Sequence, residues 1–428
     1  MKKKIGAISL FILLFAIFIF VGCSKIDDSA VSDAYKAPDT DVSPELSSPE
    51  VSSPQILSSP QDSSSSKPTS SKYTKELSIE EKHWNRVFAK AFEEVDCPKA
   101  PERNFPDGYY KGKMIDTHIH IGSLPDGAPG FDDEFYTGDN IGIKRSISEW
   151  VCMMDYENTS KVFAFFPAWK PIIKQSIDLV KLTMEKYPGR FIPFIMSPDN
   201  DGNPDGFSTV DSKKLKEMLD AYPDLFKGYG EIGLYGHPGG APPLPPNSLR
   251  LTEIYPLVKE KKLLVYFHLG EGQKQAFEET LSANPDINFI FHGDQLIDCS
   301  TCHNSLADVA DLLEKHPNLY YGVDELYGDV LLINEKVTKQ EFIAHFNDYE
   351  PLLEEDLKTW KKFIEDHSGQ VLWGTDRGVG SSWSLDPEVA LVLNNYSRAF
   401  ISKLDPLVQE KFAYKNAEKL IGNINDTS

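Results

Sequence analysis

From Lys113 onward the apolar residues fall into short, dense runs, each followed by a longer stretch in which apolar positions recur every three or four residues. A dense run of about 4–8 residues reads as a buried strand, and the 3.6-residue period reads as a helix with one apolar side. The runs predict strands at Met114–His118, Lys161–Phe166, Phe191–Met196, Gly228–Leu234, Leu263–His268, Ile287–His292, Leu319–Asp324 and Gln370–Asp376. Helices are predicted between them, among others at Lys144–Tyr156, Lys213–Tyr222, Gln273–Ala283 and Leu306–His316. Strand then helix, eight times over about 300 residues, is the rhythm of an α/β protein of the (β/α)8 TIM-barrel type. A doubly wound open sheet is the competing arrangement. It is expected to carry a glycine-rich phosphate loop after its first strand, and none follows Met114–His118.

The N-terminus breaks this rhythm. Lys2, Lys3 and Lys4 precede an almost unbroken apolar run, Ile5–Val21, which ends in F-V-G-C at Phe20–Cys23. This resembles a bacterial lipoprotein signal peptide, which implies removal of residues 1–22 and a lipid (palmitate among its chains) on Cys23. A plain secretory signal and an uncleaved anchor are the alternatives. All three place the body outside the cytoplasm, and the first attaches it to the cell membrane. Residues 23–72 are rich in Ser, Pro and Asp, with S-S-P repeated at Ser47–Pro49, Ser52–Pro54 and Ser58–Pro60. Such a segment cannot bury a core and is expected to be a disordered tether. The barrel domain is expected over residues 73–428. The net charge of -21 and the lack of a strongly basic stretch argue against nucleic acid as a partner.

The predicted strand ends carry the chemistry. In a barrel, the C-terminal ends of the strands share one face and hold the functional groups. Here they bear His118 and His120, Glu231, His268, His292 and Asp376. Residues two apart on a strand point the same way, so H-x-H presents two imidazoles to one point, half of a divalent-metal site.

With these residues in view, the chain resembles the amidohydrolase superfamily of metal-dependent barrel hydrolases. I-D-T-H-I-H is similar to that family's first-strand motif, F-H at Phe267–His268 and F-H-G at Phe291–Gly293 to its fifth- and sixth-strand histidines. G-T-D-R at Gly374–Arg377 and N-A-E-K-L-I-G at Asn416–Gly422 resemble the amidohydrolase-related branch, whereas G-E-I-G-L at Gly230–Leu234 looks like the metal-bridging motif of TatD-type hydrolases. The resemblance implies a divalent metal, zinc or else manganese, as one or two ions. His118, His120 and Asp376 would take one ion, His268 and His292 the other, and Glu231 would bridge. Asp376 would serve as general base for a metal-activated hydroxide that cleaves an amide, ester or phosphoester of a small-molecule substrate. The alternative within the superfamily is a mononuclear decarboxylase, in which His292 is catalytic and Glu231 structural. A ligand-binding lipoprotein without turnover is the reading from another class.

Softer candidates surround these groups. Arg377 could pair with a substrate carboxylate or phosphate or form a rim salt bridge. His237 could touch substrate, and Asp324 could do so or cap a turn. C-x-x-C-H at Cys299–His303 matches a haem-attachment pattern, but a Cys299–Cys302 disulfide suits an exported chain better. Cys97 and Cys152 could also pair. The acidic run Asp199–Asp205 fails the EF-hand spacing and reads as a turn.

Overall fold

The computed structural model describes residues 77–97, 108–121, 145–168, 172–196, 208–235, 242–293, 305–324, 326, 336–378, 383 and 386–425. The chain divides into two compact units, Met1–Tyr73 and Thr74–Ser428, and all described residues lie in the second. Residues 1–22, Cys23, His237, Cys299, Cys302, His303 and the Asp199–Asp205 run fall outside the described residues. Among the described residues no helix is long and apolar enough to cross a membrane.

Eight strands form one parallel sheet in sequence order: β1 Met114–His120, β2 Thr159–Pro167, β3 Phe191–Met196, β4 Gly228–Gly233, β5 Leu264–His268, β6 Phe289–Phe291, β7 Leu319–Val323 and β8 Val371–Trp373. β8 returns to β1. His120 N–H donates to the Arg377 carbonyl at 2.8 Å, and the Thr117 hydroxyl donates to the Trp373 carbonyl at 2.9 Å. The molecule is therefore a (β/α)8 TIM barrel, as the spacing of apolar runs predicts.

An N-terminal helix, α1 (Ile79–Ala91), precedes the barrel. The helices that follow the strands are α2 Ile147–Glu157, α3 Ile173–Lys186, α4 Ser212–Asp220, α5 Leu249–Glu260, α6 Lys274–Ala283 and α7 Leu306–Lys315. The β7–β8 connection adds α8 (Lys339–His345) and α9 (Glu350–Asp356). The latter runs through a π turn into α10 (Lys362–Asp366). After β8 come α11 (Pro387–Ile401), α12 (Pro406–Glu410) and α13 (Asn416–Asn425). Several starts are set by a hydroxyl–carboxylate exchange that satisfies orphan N–H groups at both ends of the first turn. Ser146 with Glu149 opens α2, Ser305 with Asp308 opens α7, and Thr338 with Glu341 opens α8.

Alternating positions sort the core into two layers. Ile115, Phe163, Phe165, Phe194, Tyr266, Ile290 and Leu372 fill the barrel interior. Val162, Phe191, Tyr229, Val265, Phe289 and Val371 pack outward against the helices. Cys97 and Cys152 form a disulfide, Cα to Cα 5.5 Å, which ties the segment after α1 to α2.

Two strands depart from strict alternation. Between Asp116 and Ile119, β1 advances three residues while β2 advances two, from Val162 to Ala164. Between Tyr229 and Ile232, β4 does the same against Val265 to Phe267 of β5. Such bulges re-aim the side chains that follow. Ile115 faces the interior, and a regular strand would send His118 and His120 outward among the helices. The extra residue turns both inward, while Ile119 and Ile121 join the outer layer. The bulge in β4 likewise lets Tyr229 and Ile232 both face outward with Glu231 on the inner side.

Candidate metal centre

The six strand-end residues converge. His118 Nε2 and His120 Nε2 lie 3.2 Å apart. Asp376 Oδ1 is 3.3 Å from the first and 3.1 Å from the second. Glu231 Oε2 is 3.5 Å from His118 Nε2 and 3.3 Å from His120 Nε2. Its other oxygen, Oε1, meets His268 Nδ1 at 2.9 Å and His292 Nε2 at 3.8 Å. Asp376 is divided in the same way, with Oδ2 3.6 Å from His292 Nε2. The His268 and His292 rings stack with centroids 4.4 Å apart. All six are buried or nearly so, His268 being the most exposed at 16% of its side chain.

From β5 on, alternation delivers the two histidines: Tyr266 and His268, and Ile290 and His292, each share an inner face. β6 and β8 are shorter than the apolar runs predict, so His292 and Asp376 stand just past their strands. Asp376 adopts the left-handed region, with φ 46°, a conformation that costs free energy unless its neighbours hold it. They do: the Thr375 hydroxyl donates to Asp116 at 2.6 Å, and the Arg377 carbonyl is tied to β1. β2 and β3 bring no ligands. Phe165 instead lies 4.8 Å from His118 and 5.5 Å from His120, ring to ring, forming an apolar wall.

The donor set fits a divalent cation. His118 Nε2, His120 Nε2 and Asp376 Oδ1 are separated by 3.1–3.3 Å and form one group able to share an ion. Three donors with such edges can each stand about 2.0 Å from one cation, the length of a Zn–N or Zn–O bond. Asp376 Oδ1 is buried and makes no well-formed hydrogen bond despite this proximity. A second group, Glu231, His268 and His292, is close enough to share an ion of its own.

The charges are strongly coupled. Burial pushes the His118 imidazole down, but the Asp376 and Asp324 carboxylates outweigh it and raise it to about 10. His120 is also raised, burial being outweighed by Asp376 and Glu231. Burial pushes Glu231 and Asp376 up, and the surrounding imidazoles outweigh that and hold both well below the ordinary carboxylate range. Two anions thus face the His118 and His120 imidazoles and favour their charged forms, so that a proton and a cation compete for the same nitrogens.

One of the softer candidates sits elsewhere than expected. The Arg377 guanidinium is buried and turned from the cluster. It donates to both Glu157 oxygens at 2.6 and 2.7 Å and to the Thr375 hydroxyl at 3.1 Å. Asp116 lies 3.6 Å away, pushed up to about 7 by burial despite Arg377 and Thr375. Arg377 therefore locks β8 to β1 and α2, and neither a substrate contact nor a rim salt bridge describes it. Asp324 is fully buried behind His118, its Oδ2 3.2 Å from His118 Nδ1, and the residues that directly follow it lie outside the described ones. Sequence reasoning passed over Tyr266, whose hydroxyl reaches Asp324, and Glu157. Tyr266 was detectable, since it shares a face with His268 two residues on. Glu157 closes α2 and carries no local signal.

The family model described as Amidohydrolase matches residues 115–422. No curated protein matches the chain. Among solved structures, it is similar to a probable 2-pyrone-4,6-dicarboxylic acid hydrolase from Acinetobacter baumannii with citric acid bound, at 13% identity and TM-score 0.45 over 72% of this chain and 99% of that one. It is also similar to an amidohydrolase from Burkholderia multivorans with bound zinc, at 11% identity and TM-score 0.46 over 72% and 99% of the two chains. A third is a dihydroxybenzoic acid decarboxylase from Polaromonas with manganese and the inhibitor 2-nitroresorcinol, at 11% identity and TM-score 0.42 over 72% and 96%.

Proposed function

The chain belongs to the amidohydrolase family, and from that premise we propose that it is a metal-dependent hydrolase acting on an amide, ester or phosphoester of a small molecule. One observation carries the reading: Glu231 turns its two oxygens to different histidine pairs, Oε2 to His118 and His120 and Oε1 to His268 and His292. A carboxylate so divided is suited to link two ions. His118, His120 and Asp376 would hold one ion, His268 and His292 the other. Zinc suits the mixed nitrogen and oxygen donors, and manganese is the next candidate. Bound there, a divalent ion supplies a Lewis acid that makes water nucleophilic at neutral pH and polarises the substrate oxygen.

The chain's own groups do the rest. Asp376 Oδ2 lies 3.6 Å from His292 Nε2, apart from the oxygen turned to His118 and His120, so it can take the proton of the attacking water and return it to the leaving group. Glu231 supplies negative charge against the imidazoles and the cation. Phe165 closes one side with hydrocarbon and keeps bulk water from the reacting atoms.

The test is metal content per purified chain, beside a Glu231→Ala variant. Two ions in the wild type, falling in the variant, support the bridged hydrolase. One ion, unchanged by the substitution, sinks the bridge and moves a mononuclear decarboxylase forward. That second reading draws on the 2.9 Å contact between His268 Nδ1 and Glu231, which occupies the oxygen a second ion would need. In it His292 is the acid–base group. No metal at all would leave a binding protein without turnover.

The placement outside the cytoplasm, lipid-anchored at Cys23 and carried on a tether of residues 23–72, belongs to the same proposal. The Cys97–Cys152 disulfide supports it, since such bonds persist in oxidising compartments. Incorporation of labelled palmitate, abolished by Cys23→Ser, is the expected result. Unchanged labelling would exclude that anchor.

A further inference from the structure

Beneath the ligand cluster lies a second, dry set of polar groups. Asp324 stands one residue past β7 with no exposure to solvent. Its Oδ2 accepts a hydrogen bond from the Tyr266 hydroxyl at 2.8 Å and lies 3.2 Å from His118 Nδ1. The Tyr266 oxygen is itself 3.1 Å from that nitrogen. The space for this carboxylate is made by two glycines on the inner faces of β7 and β8. A Cβ at Gly322 would come within 2.7 Å of both Asp324 Oδ2 and the Tyr266 hydroxyl, and one at Gly374 would overlap Asp324 Oδ1.

We propose that Asp324, aided by Tyr266, is a positioning residue that holds the proton of His118 on Nδ1 and so commits Nε2 to the metal. The inference rests on the metal reading given above. Its chemistry is simple. An ionised carboxylate only accepts, and the Tyr266 proton is already given to Oδ2. Nδ1 is therefore the donor in its contact with Asp324, and the proton that a cation displaces is the one on Nε2. That nitrogen faces His120, Glu231 and Asp376. The negative charge behind the ring also raises its basicity as a ligand, as outer carboxylates do in other metal sites. Rotation of the ring is blocked on its other sides by Phe165 at 4.8 Å and His292 at 4.4 Å between centroids.

The experiment compares the wild-type chain with Asp324→Asn and Tyr266→Phe, both close in shape to the originals. Zinc affinity is measured by competition with a chelator, and the buried imidazole N–H proton of the zinc-loaded chain is followed by NMR. Asp324→Asn is expected to weaken zinc by about 10–100-fold with the thermal midpoint retained, and to shift that proton resonance upfield. Tyr266→Phe is expected to keep most of the affinity but to shift the same resonance downfield, because Oδ2 then serves one donor instead of two. Wild-type affinity in Asp324→Asn, or a resonance unmoved in both variants, overturns the proposal. If Asp324→Asn does not fold, the Tyr266→Phe resonance decides alone. A wild-type chain that takes up no zinc sinks the metal reading instead. The brace is then judged on the same proton in the metal-free chain, whose absence would overturn it.

Discussion

At the scale of single residues, the cluster makes protons and a cation compete for the same atoms. His118 is raised to about 10 and His120 is raised as well, whereas Glu231 and Asp376 stay ionised far into acid. Below the raised values an ion held by His118 and His120 must displace protons from these imidazoles, so its affinity should climb with pH across the neutral range. One to two protons released per ion corresponds to about a ten- to hundredfold gain per pH unit. Chelator competition at three pH values measures it, and a flat profile would contradict the proton-loaded cluster. Asp376→Asn removes the anion that, on the proposed function, both holds the ion and takes the proton. Activity should drop at least about 100-fold, in a steady-state assay on any ester, amide or phosphoester the wild type turns over. The histidines and Asp376 of the cluster were readable because each stands at the end of a predicted apolar strand, and the barrel rule then aims it at one face. Arg377 was misplaced for the complementary reason. Adjacency to a ligand does not say which way a long side chain turns, and its partner, Glu157, is far away in sequence.

At the scale of elements, the ion pair of Glu157 with Arg377 joins the end of α2 to the end of β8. Both side chains are 2% exposed, and the contact is bidentate at 2.6 and 2.7 Å. Glu157→Gln leaves a buried guanidinium short of charge and should cost about 3–5 kcal/mol in urea unfolding, whereas Arg377→Met with Glu157→Leu should cost less. A single variant as stable as wild type would show that Asp116 alone satisfies the guanidinium. β3 begins and ends where its apolar run does, Phe191–Met196. The bulges in β1 and β4 were not readable, since a bulge is a mismatch between two strands and neither sequence alone records it. H-x-H was expected on a regular strand. The structure obtains the same inward aim only by inserting a residue.

At the scale of the molecule, the Cys97–Cys152 disulfide closes a loop with a sequence separation of 55. Loop-closure entropy assigns such a link about 4 kcal/mol, so Cys152→Ser should lower the denaturant midpoint under non-reducing conditions. Reductant should move the wild type to the same value, and a midpoint indifferent to both would mean the link adds nothing. The barrel itself was legible from spacing, whereas this closure was only one possible pairing, because cysteine positions do not reveal which are neighbours in space. The loop encloses all of β1, Met114–His120. Tension applied anywhere before Cys97 therefore passes through the sulfur–sulfur link to α2 at Cys152, the shorter covalent route. β1 hangs slack beside that route. A pull on the N-terminus loads a helix on the barrel's outside and leaves the strand bearing His118 and His120 mechanically unstressed.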